Sequence, residues 1–222
     1  GGLTLKLLSR LGRPVPGTRV AIQGFGNVGS HAAKYLADAE CRIVAVGDAT
    51  AALRNDDGFD VLELLRHTRG TGGRLVGFTG GDAIRGDELL ATDCDVLVPA
   101  ALGGVITAAN AAAIRAPIIV EGANAPIEPD ADDLLAARGV VVLPDILANA
   151  GGVTASWFEW VQNRQHYRWG LDRVRGELDR ILGRAFEEVW QLSQARTLPL
   201  RTAAYMLGVG RVARATALGG AG

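Results

Sequence analysis

Six residues near the start restrict the fold more than any others in the chain: Gly24-Phe25-Gly26-Asn27-Val28-Gly29, directly after Arg19-Val20-Ala21-Ile22-Gln23. Val20, Ala21 and Ile22 read as a strand that is apolar on both sides, which only a sheet covered on both faces can bury. From Asn27 to Ala37 the apolar residues recur at helical spacing. Each glycine in this strand-to-helix turn has its own reason to be there. Gly24 permits the tight turn, Gly26 lets backbone approach a pyrophosphate, and Gly29 lets helix and strand pack closely. The free N–H groups at the start of the helix would then face the phosphates. Phe25, Asn27 and Val28 lie in the same turn and join the three glycines as candidate cofactor contacts. Asp48 follows the turn by about 20 residues, at the end of the next strand, where an acidic residue receives the adenosine ribose hydroxyls. The competing reading is a structural glycine turn, with Asp48 as a loop cap.

The same alternation continues. Arg42 to Val46, Asp95 to Val98, Pro117 to Val120 and Val140 to Leu143 read as strands. Asp60 to His67, Thr107 to Ile114 and Asp130 to Ala137 read as helices, and glycine-rich Gly70 to Gly81 as a loop around a short strand. Helices between apolar strands give an α/β fold, a Rossmann-like, doubly wound, mostly parallel sheet. From about Gly152 the pattern is helical almost to the end. This predicts a C-terminal helical layer that carries all four tryptophans. Trp157 and Trp160 are three residues apart and share a helix face; core packing is the expected role, a platform for a ligand ring the alternative.

Several functions are excluded by what the chain lacks. A formal net charge of -1, with no Lys/Arg-rich stripe, gives no basis for nucleic-acid or membrane-surface binding. No stretch of about 18 apolar residues is present, so no spanning helix is predicted. His31, His67 and His166 lack ligand spacing, so no metal site is expected. Cys41 and Cys94 adjoin apolar strands and read as reduced core thiols, which suits a cytoplasmic protein.

Five segments together resemble the glutamate dehydrogenases of the Glu/Leu/Phe/Val dehydrogenase superfamily: VAIQGFGNVGS (20–30), DVLVPAAL (95–102), VEGANAP (120–126), LPDILANAGGVTASWFEWVQN (143–163) and LRTAAYMLGVGRVARA (200–215). The resemblance runs from about Thr18 to Ala217. It implies NAD as cofactor, with NADP also admissible, and reversible oxidative deamination of glutamate to 2-oxoglutarate and ammonia. It implies that Ala100, Ala101, Gly122, Ala123 and Asn124 lie beside the nicotinamide ribose. Asn149 would contact both the carboxamide and the substrate, Val153 the substrate side chain, and Ser156 the distal carboxylate. It also implies that one strand of the sheet runs antiparallel.

In this family the catalytic lysine, the carboxylate-binding lysine and the catalytic aspartate belong to an N-terminal substrate domain. The lysines here are Lys6, before the first strand, and Lys34, on the helix after the glycine turn; neither has that context. The expectation is therefore a linker helix over residues 1–17 and a dinucleotide-binding domain over 18–222. No catalytic residue is expected in the chain, the substrate domain is expected to be missing, and the full protein is expected to be a homo-oligomer. The competing readings are a leucine, phenylalanine or valine dehydrogenase, and a non-catalytic NAD-binding module. Asp48 favours NAD by its charge, while Arg54, a short loop away, is the cation in reach of a 2′-phosphate. Gly103-Gly104, where many relatives have Asn, predicts a looser loop.

Overall fold

The computed structural model describes residues 1–220, which form two compact units, Gly1–Asp145 and the segment from Ile146 onward. The first opens with α1 (Gly2–Arg10) and holds seven strands: β1 (Arg19–Gln23), β2 (Arg42–Gly47), β3 (Ala52–Arg54), β4 (Asp82–Ile84), β5 (Val96–Pro99), β6 (Ile118–Val120) and β7 (Val141–Leu143). They form one sheet in the order β4-β3-β2-β1-β5-β6-β7. From β2 to β7 every neighbouring pair is parallel, while β3 is antiparallel to both β2 and β4. The Rossmann-like sheet is thus as expected, including its single reversed strand.

Apolar strands force this layering. Val20, Ala21 and Ile22 are fully buried, as are Val44, Ala45, Val96 and Leu97. On one face Ala21, Val44, Ala45, Leu97 and Ile119 pack with Leu89 and Leu90 of α4 (Gly86–Leu90) and with Ala131 and Leu135 of α5 (Pro129–Ala137). Helices α2 (Asn27–Asp38) and α3 (Val61–Gly70) bury Ala33, Leu36 and Leu64. The Asp60 carboxylate starts α3 by accepting the N–H groups of Leu62 and Glu63. Cys41 and Cys94 are free and buried, and burial pushes the Cys94 thiol up to about 12.

Thr107 to Ile114 departs from expectation: instead of a helix it contains only a 3-10 turn at Ala111–Ala113. The Asn110 side chain accepts from the Thr107 N–H and donates to the Val105 carbonyl, both at 2.8 Å. This local closure consumes backbone groups that a helix would use. Arg138 then donates to the carbonyls of Ala111 and Ile114. The glycine-rich segment holds no strand; β4 comes just after it.

The second unit contains α6 (Asp145–Ala148), from its second residue, then α7 (Ala150–Gln165), α8 (Leu171–Arg196) and α9 (Leu200–Leu218). His166 and Thr197 end α7 and α8 in left-handed conformation. Its aromatic residues divide. Phe158 lies 5.5 Å from Trp169, over which Arg173 sits at 4.3 Å, and buried Phe186 stacks on Trp190. Trp157 and Trp160 stack at 4.9 Å yet stay 56% and 54% exposed. Core packing is therefore the wrong role for that pair: their side of α7 is an open face.

Candidate functional site

The chain runs from β1 outward to β2 and β3, then returns to β5 on the other side of β1. The strand order reverses between β1 and β5, and in open α/β sheets ligands bind outside the carboxyl ends of the strands at such a point. Gly24, first after β1, has φ +102, and a Cβ on it would lie 2.6 Å from the Ala101 nitrogen and 2.7 Å from the Ala100 carbonyl carbon. Only glycine lets these two loops meet. The contact is completed by the Ala100 N–H, which donates to the Gln23 carbonyl at 2.6 Å. A Cβ on Gly29 would fall 1.7 Å from the Gly24 carbonyl oxygen, so the third glycine sets how closely α2 crosses the turn.

Gly26 differs from both. A Cβ there meets nothing within 4 Å, so the surface above it is open. Gly26, Asn27 and Val28 are exposed, whereas Gly24, Phe25 and Gly29 are buried. The α2 N-terminus has no side-chain cap and no acidic residue in its first turn. Among the described residues, the N–H groups of Asn27, Val28 and Gly29 donate to no acceptor. An open glycine with a row of unspent amides fits a pyrophosphate, both sterically and by the helix dipole.

The loop after β6 joins this site. Gly122 and Ala123 both donate to the Pro99 carbonyl, at 2.9 and 3.0 Å, and a Cβ on Gly122 would lie 3.0 Å from that of Ala100. Ala100, Ala101, Gly122 and Ala123 therefore converge with Gly24 at the strand ends. Asn124 is exposed beside them. Two carboxylates brace this loop, and sequence reasoning passed over both. Fully buried Glu121 accepts the Asp145 N–H at 2.7 Å, and Asp145 accepts the Ala125 N–H at 2.8 Å. An acid directly after the apolar strand Ile118–Val120 was the available signal. The loop at Gly103-Gly104 is tied to the one after β6: Gly104 and Ile106 donate to the carbonyls of Ala125 and Pro126 at 2.9 Å each.

Asp48 stands at the end of β2, and its carboxylate is heavily engaged. One oxygen accepts from the Thr50 N–H and hydroxyl, both at 2.6 Å, and from the Ala51 N–H at 2.9 Å. The other accepts the Leu75 N–H at 2.7 Å. Burial alone would raise the Asp48 pKa, but these bonds outweigh it and hold the carboxyl below its ordinary value. Arg54, the cation expected within reach of a 2′-phosphate, is engaged with Asp56 through two bonds of 2.8 and 2.7 Å.

In the second unit, Val153, Ser156, Trp157 and Trp160 follow helical spacing along α7 and are all exposed. The Ser156 hydroxyl has no partner among the described residues, whereas Thr154 bonds back to the Ala150 carbonyl. Asn149 immediately precedes α7 and is half-buried.

A model of the Glutamate/Leucine/Phenylalanine/Valine dehydrogenase family matches residues 3–220. The glutamate dehydrogenase of Thermotoga maritima is 48% identical over 198 residues, which cover 89% of this chain and 47% of that protein. A hetero-hexameric glutamate dehydrogenase from Thermus thermophilus, in a leucine-bound form, superposes with a TM-score of 0.91 at 31% identity, covering 99% of this chain and 51% of that one. The Peptoniphilus asaccharolyticus glutamate dehydrogenase gives a TM-score of 0.83 at 30% identity, with the same coverage. The chain thus spans about half the length of these relatives.

Proposed function

Because the chain belongs to the Glutamate/Leucine/Phenylalanine/Valine dehydrogenase family, we propose that it is the NAD(P)-binding part of a glutamate dehydrogenase. The observation that carries the reading is the turn after β1, where an open Gly26 and unspent amides stand at the point where the strand order reverses. Gly24, Phe25, Gly26, Asn27, Val28 and Gly29 hold the pyrophosphate. Ala100, Ala101, Gly122, Ala123 and Asn124 lie along the nicotinamide ribose, and Asn149 along the carboxamide. Asp48 meets the adenosine ribose, where its ionised carboxylate suits the hydroxyls of NAD.

In the whole enzyme, glutamate loses hydride from its α-carbon to the nicotinamide, and the resulting imine is hydrolysed to 2-oxoglutarate and ammonia. This chain grips the cofactor and supplies one wall of the cleft. A substrate domain brings the lysines and the aspartate that move protons, a contribution of about 10²–10⁴ in rate. The chain by itself therefore binds cofactor without turnover, and the full protein works as an oligomer. Two buried free thiols suit a cytoplasmic setting.

The exposed Val153–Ser156 stripe of α7 supports glutamate over an apolar amino acid, since Ser156 offers an unspent hydroxyl to a distal carboxylate. In the enzyme reconstituted with its substrate domain, Ser156→Ala should raise KM for glutamate by roughly tenfold and leave NAD affinity unchanged. That is the scale of one charge-assisted hydrogen bond. Equal losses for both ligands would make Ser156 a structural residue. Steady NADH formation from glutamate by the chain alone would show that the proton-moving groups lie within it.

A further inference from the structure

The residue that follows β6 is one that packing alone does not call for. Ile118, Ile119 and Val120 fill the strand with buried apolar side chains, and Glu121 after them is fully buried as well. A carboxyl group out of reach of water is costly unless hydrogen bonds engage it, and an apolar residue would fill the same space without that penalty. The reason for Glu121 must therefore lie in what it holds. It accepts the Asp145 N–H at 2.7 Å. Asp145, half-buried at the start of α6, accepts in turn the Ala125 N–H at 2.8 Å.

Ala125 is the place where such a hold matters. Its φ is +43, in the left-handed region that alanine rarely adopts because its Cβ crowds the carbonyl. Pro126 follows, and a proline pushes the residue before it towards extended backbone. Ala125 is thus disfavoured on two counts, and such a conformation persists only where the surroundings fix it; residues of this kind cluster at ligand clamps. The backbone on either side is anchored. Gly122 and Ala123 hang from the Pro99 carbonyl, and the carbonyls of Ala125 and Pro126 take the N–H groups of Gly104 and Ile106. Between these anchors the chain turns at Asn124 and Ala125, which are exposed, while Pro126 and Ile127 are buried again.

Resting on the nucleotide-binding reading, we infer that Glu121 and Asp145 are positioning residues: Glu121 fixes Asp145, Asp145 fixes the strained Ala125, and the loop Gly122–Asn124 is thereby set in shape for the nicotinamide half of the cofactor. Neither carboxylate touches the glycine turn at Gly24–Gly29 or the loop that Asp48 holds. The relay therefore serves one half of the dinucleotide and leaves the adenosine half alone. A loop fixed before the ligand arrives has less ordering to lose on binding, so its hold appears as affinity.

The test uses the 222-residue chain and two ligands: NADH, followed by its nicotinamide fluorescence, and adenosine 5′-diphosphate, which lacks the second ribose and the nicotinamide. Asp145→Ala should weaken NADH by about tenfold, the scale of one hydrogen bond to a charged group, and change the diphosphate by less than about twofold. Asp145→Asn keeps an acceptor for the Ala125 N–H and should return NADH to within about threefold of the parent, a neutral acceptor being the weaker one. Glu121→Gln keeps size and an acceptor oxygen and should weaken NADH by a similar threefold factor; it carries the test if Asp145→Ala does not fold. Equal losses for both ligands would make the two carboxylates general supports of the fold and overturn the relay, as would NADH affinity unchanged in Asp145→Ala or Glu121→Gln. In each of those cases the nucleotide reading stands. Failure of the parent chain to bind either ligand would overturn the nucleotide reading and the relay together.

Discussion

The ends of β1 and β2 lie side by side in the sheet and solve opposite problems. After β1 the backbone turns on glycines and leaves the amides of Asn27, Val28 and Gly29 without acceptors among the described residues. After β2 the backbone turns on Asp48, which takes the amides of Thr50, Ala51 and Leu75 for itself. One strand end keeps donors ready for a ligand. The other spends a carboxylate on its own loop and gains a fixed position for residues 70–77. A binding loop needs unsatisfied donors that solvent can reach; its neighbour needs satisfied ones, so that its shape does not depend on the ligand. The acidic residue at the second strand end is thus a structural brace; sequence reasoning set a loop cap against a ribose contact, and the proposed function asks Asp48 to be both.

The largest expected effect is at the β1 end. Gly29→Ala places a Cβ 1.7 Å from the Gly24 carbonyl oxygen, a backbone atom that a rotamer change cannot move aside. Urea titration should show a loss of at least about 3 kcal/mol. An unchanged midpoint would mean that α2 can slide off the turn. At the β2 end, Asp48→Ala strips the acceptor from three amides and one hydroxyl. Because that loop is partly open to water, a loss of about 1–2 kcal/mol is expected. It should be accompanied by faster hydrogen exchange at Leu75 and by little change at Asn27.

The pH response sharpens the same contrast. The folded pKa of Asp48 is lower than the unfolded one, so its stabilising contribution is complete above the ordinary carboxylate value and is lost as pH falls through the folded pKa. Asp48→Asn should therefore flatten the acid limb of the stability curve below about pH 4 while the neutral region shifts uniformly. An unaltered acid limb would mean that other carboxylates govern it. The smallest expected effect on stability belongs to Gly26→Ala, where a Cβ meets nothing and φ is −78. Its melting temperature should stay near that of the parent, while NAD affinity falls, because the added methyl group occupies the approach to the amides. Undiminished affinity would separate the open glycine from phosphate binding.

Short-range chemistry by itself determines much of this protein. A run of buried β-branched residues, a glycine at each of three fixed offsets and an acid at the next strand end are local constraints, legible because backbone sterics act within a few residues. The sheet, the turn and the family resemblance all rest on them. Thr107 to Ile114 shows where local reading fails: its alanines favour a helix, yet one asparagine side chain and Arg138, just after α5, satisfy its backbone otherwise.

Partnership was decided only in three dimensions. That Asp48 holds the Leu75 amide, and that Glu121 and Asp145 brace the loop after β6, could not be read from composition or period. Each depends on which residues, remote in the chain, the packed elements bring within about 3 Å, the reach of a hydrogen bond.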